Sequence, residues 1–289
     1  MPDLISLGRT YYRPDSPVLN EASLKWLYVD NPDGAATLII AREGDLWIGL
    51  IALIPVMLEH SGRLQRSTYA VNVLTHPEHR GKKLFVKMIG HARSLLAAED
   101  RWLLGHPSAS ATPGWTRQAM EFRDPRDLYI AKFHPPFSSV RKRRIRTLEE
   151  LRDISPLFWI EVANRPDVHV RYTPEFFAWR FLDAPHREYV VSAVEERGTL
   201  LGLTVTRRFK GPFDLMVDFV GPVRTMGKIL ASGRRPTLVA HPIAGSVGAE
   251  VTKACWKLPV RRQLPFFATT WDPDNVFDMT GISLAASDI

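Results

Sequence analysis

The apolar positions of this chain switch between two periods, and the switches predict its order of elements. Residues 4–7 form a short apolar run that reads as a strand, and residues 9–17 are polar, with two tyrosines and two prolines. From Asn20, whose side chain can cap a first turn, Leu24, Trp26, Leu27 and Tyr28 recur at helical spacing until Pro32 and Gly34 stop the pattern. Residues 36–41 and 46–57 are apolar runs joined by Glu43-Gly44-Asp45, a hairpin signal, and Ser61-Gly62-Arg63 supplies the next turn. Residues 69–74, apolar apart from Tyr69 and Asn72, predict a strand buried on both faces. Pro77 ends it, Gly81 permits unusual backbone angles, and Leu84, Phe85, Met88 and Ile89 open an amphipathic helix that runs to about residue 98. Trp102-Leu103-Leu104-Gly105 is a further buried strand, Pro113 marks a short helix, and residues 128–133 make the last strand of this half.

The second half repeats the first. Trp26-Leu27-Tyr28-Val29-Asp30-Asn31-Pro32 matches Trp179-Arg180-Phe181-Leu182-Asp183-Ala184-Pro185, and at the same offset Gly49 falls on Gly202. At a shorter offset Val71-Asn72-Val73 matches Val217-Asp218-Phe219 and Gly81-Lys82-Lys83-Leu84 matches Gly227-Lys228-Ile229-Leu230; at a shorter one still, His106-Pro107 matches His241-Pro242. The shrinking offset places deletions in the second copy around its glycine turn, where Arg80 has become Met226. The pattern predicts two similar α/β units, residues 1–138 and 139–289, of which only the first keeps a phosphate loop. Between them Arg141-Lys142-Arg143-Arg144 and Arg146 form a basic run, read as a solvated linker or an anion-binding stripe. It leads into a helix from Thr147 with Leu148, Leu151, Ile154, Leu157 and Phe158 on one side.

Composition narrows the chemistry. The 289 residues are 45% hydrophobic and 10% aromatic, enough for packed cores, and the net charge of +7 with a pI near 9.6 favours a polyanionic partner. CoA, nucleotide sugars, phospholipid and nucleic acid all answer that description. A lone Cys255 excludes an internal disulfide framework and fits a reducing compartment; with no signal-like or membrane-spanning run, a soluble cytoplasmic protein is expected. Cys255 reads as an inert buried thiol. His76, His79 and His106 lack metal-site spacing, so no metal is expected, and no Gly-x-Ser-x-Gly, Walker or paired-glycine dinucleotide motif is present.

The turn after the central strand carries the chemistry. A buried strand feeding a basic, glycine-containing turn into a helix N-terminus presents free amides, a positive dipole end and Arg80, Lys82 and Lys83 to one anion. Arg80-Gly81-Lys82-Lys83-Leu84-Phe85 resembles the pyrophosphate-binding motif of the GNAT superfamily of acyl-CoA-dependent N-acyltransferases. Lys83 and Phe85 depart from that motif's later glycine or alanine positions, which implies that Phe85 turns into the core. The resemblance implies an α/β (α+β) fold of two GNAT-like units in tandem, each a mixed, mostly antiparallel central sheet flanked by helices. It also implies acetyl-CoA or another acyl-CoA as donor, with Val73, Leu74 and Thr75 along the pantetheine, the amides of residues 81–85 on the pyrophosphate, and Ser108 and Ser110 where the family carries an asparagine. The partner implied is a small-molecule amine, such as an amino sugar or amino acid, acylated by direct transfer in a ternary complex. Tyr69 and Asn72 stand nearest the family's general base, and Trp115 occupies the place of its proton-donating tyrosine, a role an indole cannot fill. Two other readings stay open: a catalytically degenerate CoA or ligand binder, and a nucleic-acid-associated or aminoacyl-tRNA-dependent transferase whose basic run binds RNA in a salt-dependent way.

Overall fold

The computed structural model describes residues 1–132, 139–241, 245–259 and 264–269. Residues 4–7 lie in helix α1 (Pro2–Arg9) rather than in the expected strand. Pro2 sits in the first turn, where its missing N–H has no partner to lose, and Leu4 and Leu7, three apart, are both buried. A four-residue apolar run fits either period, and here packing chose the helical one. Helix α2 (Glu21–Tyr28) begins as expected, the Asn20 side chain accepting from the Ser23 N–H at 3.0 Å. Strands β1 (Thr37–Glu43), β2 (Leu46–His60) and β3 (Arg63–Thr75) then form an antiparallel meander that turns at Gly44 and Gly62, both at positive φ. Helix α3 (Leu84–Ala98) carries the chain back so that β4 (Trp102–Gly105) runs parallel to β3, and α4 (Thr112–Thr116) and β5 (Phe122–Ala131) follow. Strand β5 starts earlier than expected; Phe133 lies outside the described residues.

The basic run is not a linker but strand β6 (Val140–Ile145), antiparallel to β8 (Val190–Glu196). Two of its charges are answered across the pair: Arg143 reaches Glu195 at 3.2 Å, and Arg144 reaches Glu188, just ahead of β8, at 3.5 Å, while Ile145 is buried. The single helix expected from Thr147 is two. A capping box of Thr147 and Glu150 starts α5 (Leu148–Arg152), and α6 (Pro156–Ala163) restarts after Ser155, because Pro156 cannot continue a helix from within. The break turns Leu157 outward, 75% exposed, against the expectation that it faces the core. Then come β7 (His169–Val170), α7 (Pro174–Phe177) running into a π-helical turn over Ala178–Leu182, β9 (Thr199–Arg208), β10 (Asp214–Val220), α8 (Met226–Leu230), β11 (Thr237–His241), α9 (Gly245–Ala254), β12 (Cys255–Lys257) and β13 (Leu264–Thr269).

The strands lie in the order β1-β2-β3-β4-β13-β5-β11-β10-β9-β8-β6, with β12 on β5 and β7 on β2. Only β3–β4 and β10–β11 are parallel pairs among the described residues, so two mixed, mostly antiparallel sheets meet at β5. Helices α3 and α4 cover one face of the first sheet through Met88, Ile89 and Trp115, and α8 and α9 cover the matching face of the second through Ile229 and Val247. A single core on the opposite face, built with α1, α2, α5 and α7, spans both sheets.

The repeat becomes a local two-fold relation at the centre of that core. Trp26 and Trp179 stack at 5.2 Å, and each indole N–H donates to the other's backbone carbonyl, at 2.7 and 2.9 Å. Register agrees: Leu74 pairs with Leu50 and Val220 with Leu203. Gly49 and Gly202 are small for the same reason, since a Cβ at the first would come within 2.9 Å of Met88 and at the second within 2.4 Å of Ile229. Pro242, the end of the His-Pro match, lies outside the described residues.

Candidate active site

Strands β3 and β4 pair only at Ser67–Trp102, Thr68–Leu103 and Tyr69–Leu104. β4 ends at Gly105, its other edge paired with β13 from Leu103–Thr269 to Gly105–Phe267, while β3 stays on β2 as far as Thr75–Gly49. The two strands therefore splay, and the edge of residues 70–75 facing away from β2 has no strand partner among the described residues. Asn72 stands in this stretch at φ +48°, at a bulge where the register with β2 shifts between Leu50 and Ala52.

A cavity of about 380 Å³ opens in the splay. Of the residues singled out by sequence, it gathers Tyr69, Asn72, Val73, Ser108 and Trp115. Trp115, only 2% exposed, forms an apolar wall between Phe85 and Phe267. The Asn72 amide donates to the Tyr28 hydroxyl at 2.7 Å and accepts from Tyr12 at 3.5 Å. Burial pushes the Tyr12 phenol up to about 12, with Tyr11 adding to the effect, and burial likewise raises Tyr28. At the floor of the splay the Tyr69 hydroxyl contacts Nδ1 of His106, whose ring stacks on Tyr69 and tilts against Phe266 at 4.9 Å. Sequence reasoning missed Tyr11, Tyr12, Tyr28, His106 and Phe267 as site residues. The adjacent tyrosines and the repeated His-Pro were visible as patterns, but nothing in one dimension placed them on a common wall.

The basic turn lies at the open end. Arg80 is extended, Gly81 has φ +79° with nothing within 4 Å of a notional Cβ, and Lys83 is left-handed at φ +57° as N-cap of α3. Lys83 makes no side-chain cap, so the first-turn amides of α3 remain available to an anion. Arg80, Lys82 and Lys83 are exposed, and the Arg80 guanidinium lies 5.7 Å over the Tyr11 ring, which joins the turn to the cavity rim. Phe85 points inward as expected: a Cβ on Gly114 would lie 2.2 Å from its ring. Leu74 is buried, Thr75 is held on Gly49, and Ser110 meets the Ser108 hydroxyl at 3.0 Å without lining the cavity.

The second unit splays in the same way after Met216–Val239 but closes its turn. The 3-10 turn Val223–Thr225 matches Pro77–His79, yet α8 begins at once with Met226, so Gly227 lies inside a helix and the three-residue turn has no counterpart. Asp218, at the Asn72 position, is buried and accepts the Tyr172 hydroxyl at 2.8 and 3.0 Å. Burial raises its carboxyl to about 6 despite Tyr172, the Phe219 amide, Arg165 and Arg180. Among the described residues no group of three or more His, Cys, Asp or Glu is placed to hold a metal ion, and no helix is long and apolar enough to cross a membrane.

No family model matches this sequence, and no curated protein does. Solved structures do match. A protein of Enterococcus faecalis described as a probable N-acyltransferase superposes with a TM-score of 0.69 at 12% identity, over 93% of this chain and 70% of its own. Saccharomyces cerevisiae N-myristoyltransferase with bound myristoyl-CoA gives 0.57 at 12% identity, over 100% of this chain and 82% of its own. A tandem GNAT protein from the clavulanic acid biosynthesis pathway gives 0.52 at 14% identity, over 94% of each chain. These matches, together with the splayed parallel pair in each half, show that the chain has the GNAT superfamily fold, in two GNAT-like units.

Proposed function

We propose that the first unit binds an acyl-CoA, acetyl-CoA or another, and moves its acyl group to an amine of a small molecule held on the tyrosine-lined side of the cavity. One observation carries this reading: the splay between β3 and β4 joins an uncapped, basic helix N-terminus at one end to a half-open cavity at the other. The pyrophosphate would meet the amides of residues 81–85, flanked by Arg80, Lys82 and Lys83. The pantetheine would follow the backbone edge of Val73, Leu74 and Thr75, and Ser108 and Ser110 would face it from the other side. Trp115 would shape the acyl end as a wall. Direct transfer in a ternary complex is favoured because Cys255, the one thiol of the chain, is buried away from this cavity and its burial raises it to about 12. In this reading residues 1–138 hold the donor site and residues 139–289 supply the second unit together with β13, which completes the cavity wall.

Titration calorimetry with acetyl-CoA, followed by a thiol-release screen over amino sugars, amino acids and simple amines, tests the proposal. One donor site per chain and amine-dependent thiol release are expected. Two equivalent sites, or none, would overturn the assignment; binding without transfer to any amine would leave a CoA-binding protein in place of an enzyme.

A further inference from the structure

We propose that Tyr69 takes the proton of the incoming amine and that His106, through its contact with the Tyr69 hydroxyl, holds that proton until the thiol leaves. This inference rests on the acyl-transfer reading of the same cavity.

An amine must lose a proton as it attacks, and the described residues lining the cavity include no carboxylate, lysine or arginine. Among the described residues its titratable groups are Tyr11, Tyr12, Tyr69 and His106. The Tyr12 hydroxyl meets the Asn72 amide, which cannot take up its proton. Imidazole is the side chain that exchanges protons near neutrality, and His106 is held in place by Tyr69 on one side and Phe266 on the other. Tyr69 occupies the last paired position before β3 and β4 separate, so its hydroxyl sits at the floor of the opening.

The step balances. The amine lone pair forms the C–N bond at the thioester carbonyl. The ammonium proton passes to the Tyr69 oxygen while the phenolic proton passes to Nδ1 of His106. The C–S bond then breaks, its electron pair goes to sulfur, and the proton returns by the same path to the thiolate. Products are an amide and a free thiol, with both side chains restored. The route also supplies the proton that Trp115 cannot give. Tyr69 is the catalytic residue here, and His106 acts through it as a positioning residue.

The test uses the full chain, acetyl-CoA, the amine returned by the acceptor screen, and hydroxylamine, a weakly basic nucleophile whose more acidic adduct sheds its proton to water with less help from a base. Tyr69→Phe should lower kcat/KM for the amine by at least ~10²-fold, the usual scale of a lost general base. His106→Gln should abolish the acid limb of the pH profile; His106→Asn is the substitute if that variant does not fold. Both should keep wild-type acetyl-CoA affinity and lose less activity toward hydroxylamine than toward the amine. Wild-type rates and an unchanged acid limb in folded variants would overturn the relay alone. If the wild-type chain binds acetyl-CoA but releases thiol to neither acceptor, the transfer reading falls and the relay with it.

Discussion

Replacing one glycine in each unit tests the proposed phosphate turn against its counterpart in the second unit. At Gly81 the backbone is left-handed and a Cβ would meet nothing within 4 Å, so Gly81→Ala carries only the conformational cost, about 1–2 kcal/mol of stability. Gly81→Asp adds a carboxylate beside the anion that the turn is proposed to hold. Two unit charges 4 Å apart repel by roughly 4 kcal/mol at an effective dielectric of about 20, a loss of about 10³-fold in affinity. Solvent screening at this exposed turn reduces that figure, and a loss of at least about tenfold in acetyl-CoA affinity is expected. Gly227 lies within α8, and its Cβ would make an ordinary 3.7 Å contact with Glu250. Gly227→Ala should therefore stabilise by at most about 1 kcal/mol through helix propensity, and Gly227→Asp should leave acetyl-CoA affinity within about twofold of wild type. Calorimetric titration gives the affinities and thermal unfolding the stabilities. Wild-type affinity in folded Gly81→Asp, or an equal loss in Gly227→Asp, would refute the assignment of the donor to the first unit.

Three further outcomes are expected. Trp26→Phe and Trp179→Phe each strand a buried carbonyl and should cost about 1–3 kcal/mol in denaturant unfolding, with the double variant departing from the sum because the pair is reciprocal. Phe267→Ala, at a fully buried ring against Trp115 and Gly105, should cost about 3–5 kcal/mol and weaken acetyl-CoA binding, which ties the C-terminal strand to the first unit's site. Melting temperature against pH should expose two buried groups of opposite sign. Burial, then Arg165, lowers His169 to about 2, so its stabilising share is present above an unfolded value near 6.5 and drains away as pH falls, by about 1.4 kcal/mol per unit. Burial raises Asp218 to about 6, so its share is present below an unfolded value near 3.9 and is lost as pH rises through 6. Between pH 4 and 6, Asp218→Asn should steepen acid destabilisation and His169→Gln should reverse it; unchanged slopes in both would contradict the burial assigned to these groups.

What could be read from sequence was what local spacing encodes. The Asn20 cap, the hairpin turns and the Gly81 turn are single-residue demands of backbone geometry, and each appears where its residue stands. The repeat was legible because the stacked tryptophans and the small Gly49 and Gly202 answer the same packing constraint twice. Errors fell where two patterns fit one stretch: residues 4–7 satisfy strand and helix alike, and Arg141 to Arg146 look like a solvated linker until Glu195 and Glu188 are seen to face them.

The site was harder to read for a different reason. Its loop is contiguous, but its cavity is assembled from the segment before α2, from β3, from the turn after β4 and from β13. The placement of β13 between β4 and β5 depends on closure of the whole sheet, since Leu264–Thr269 reads as a strand wherever it pairs. That closure brings Phe266 against His106 and Phe267 against Trp115, so a segment from the far end of the chain supports both the floor and the wall of the first unit's cavity. β13 also holds the other edge of β4 through Leu103, Leu104 and Gly105, so β4 is fixed between two neighbours up to the point where β3 runs on beyond Tyr69 without it. The second half therefore lacks a counterpart of the first half's basic turn while supplying, through Phe267 of β13, part of the wall of the first half's cavity.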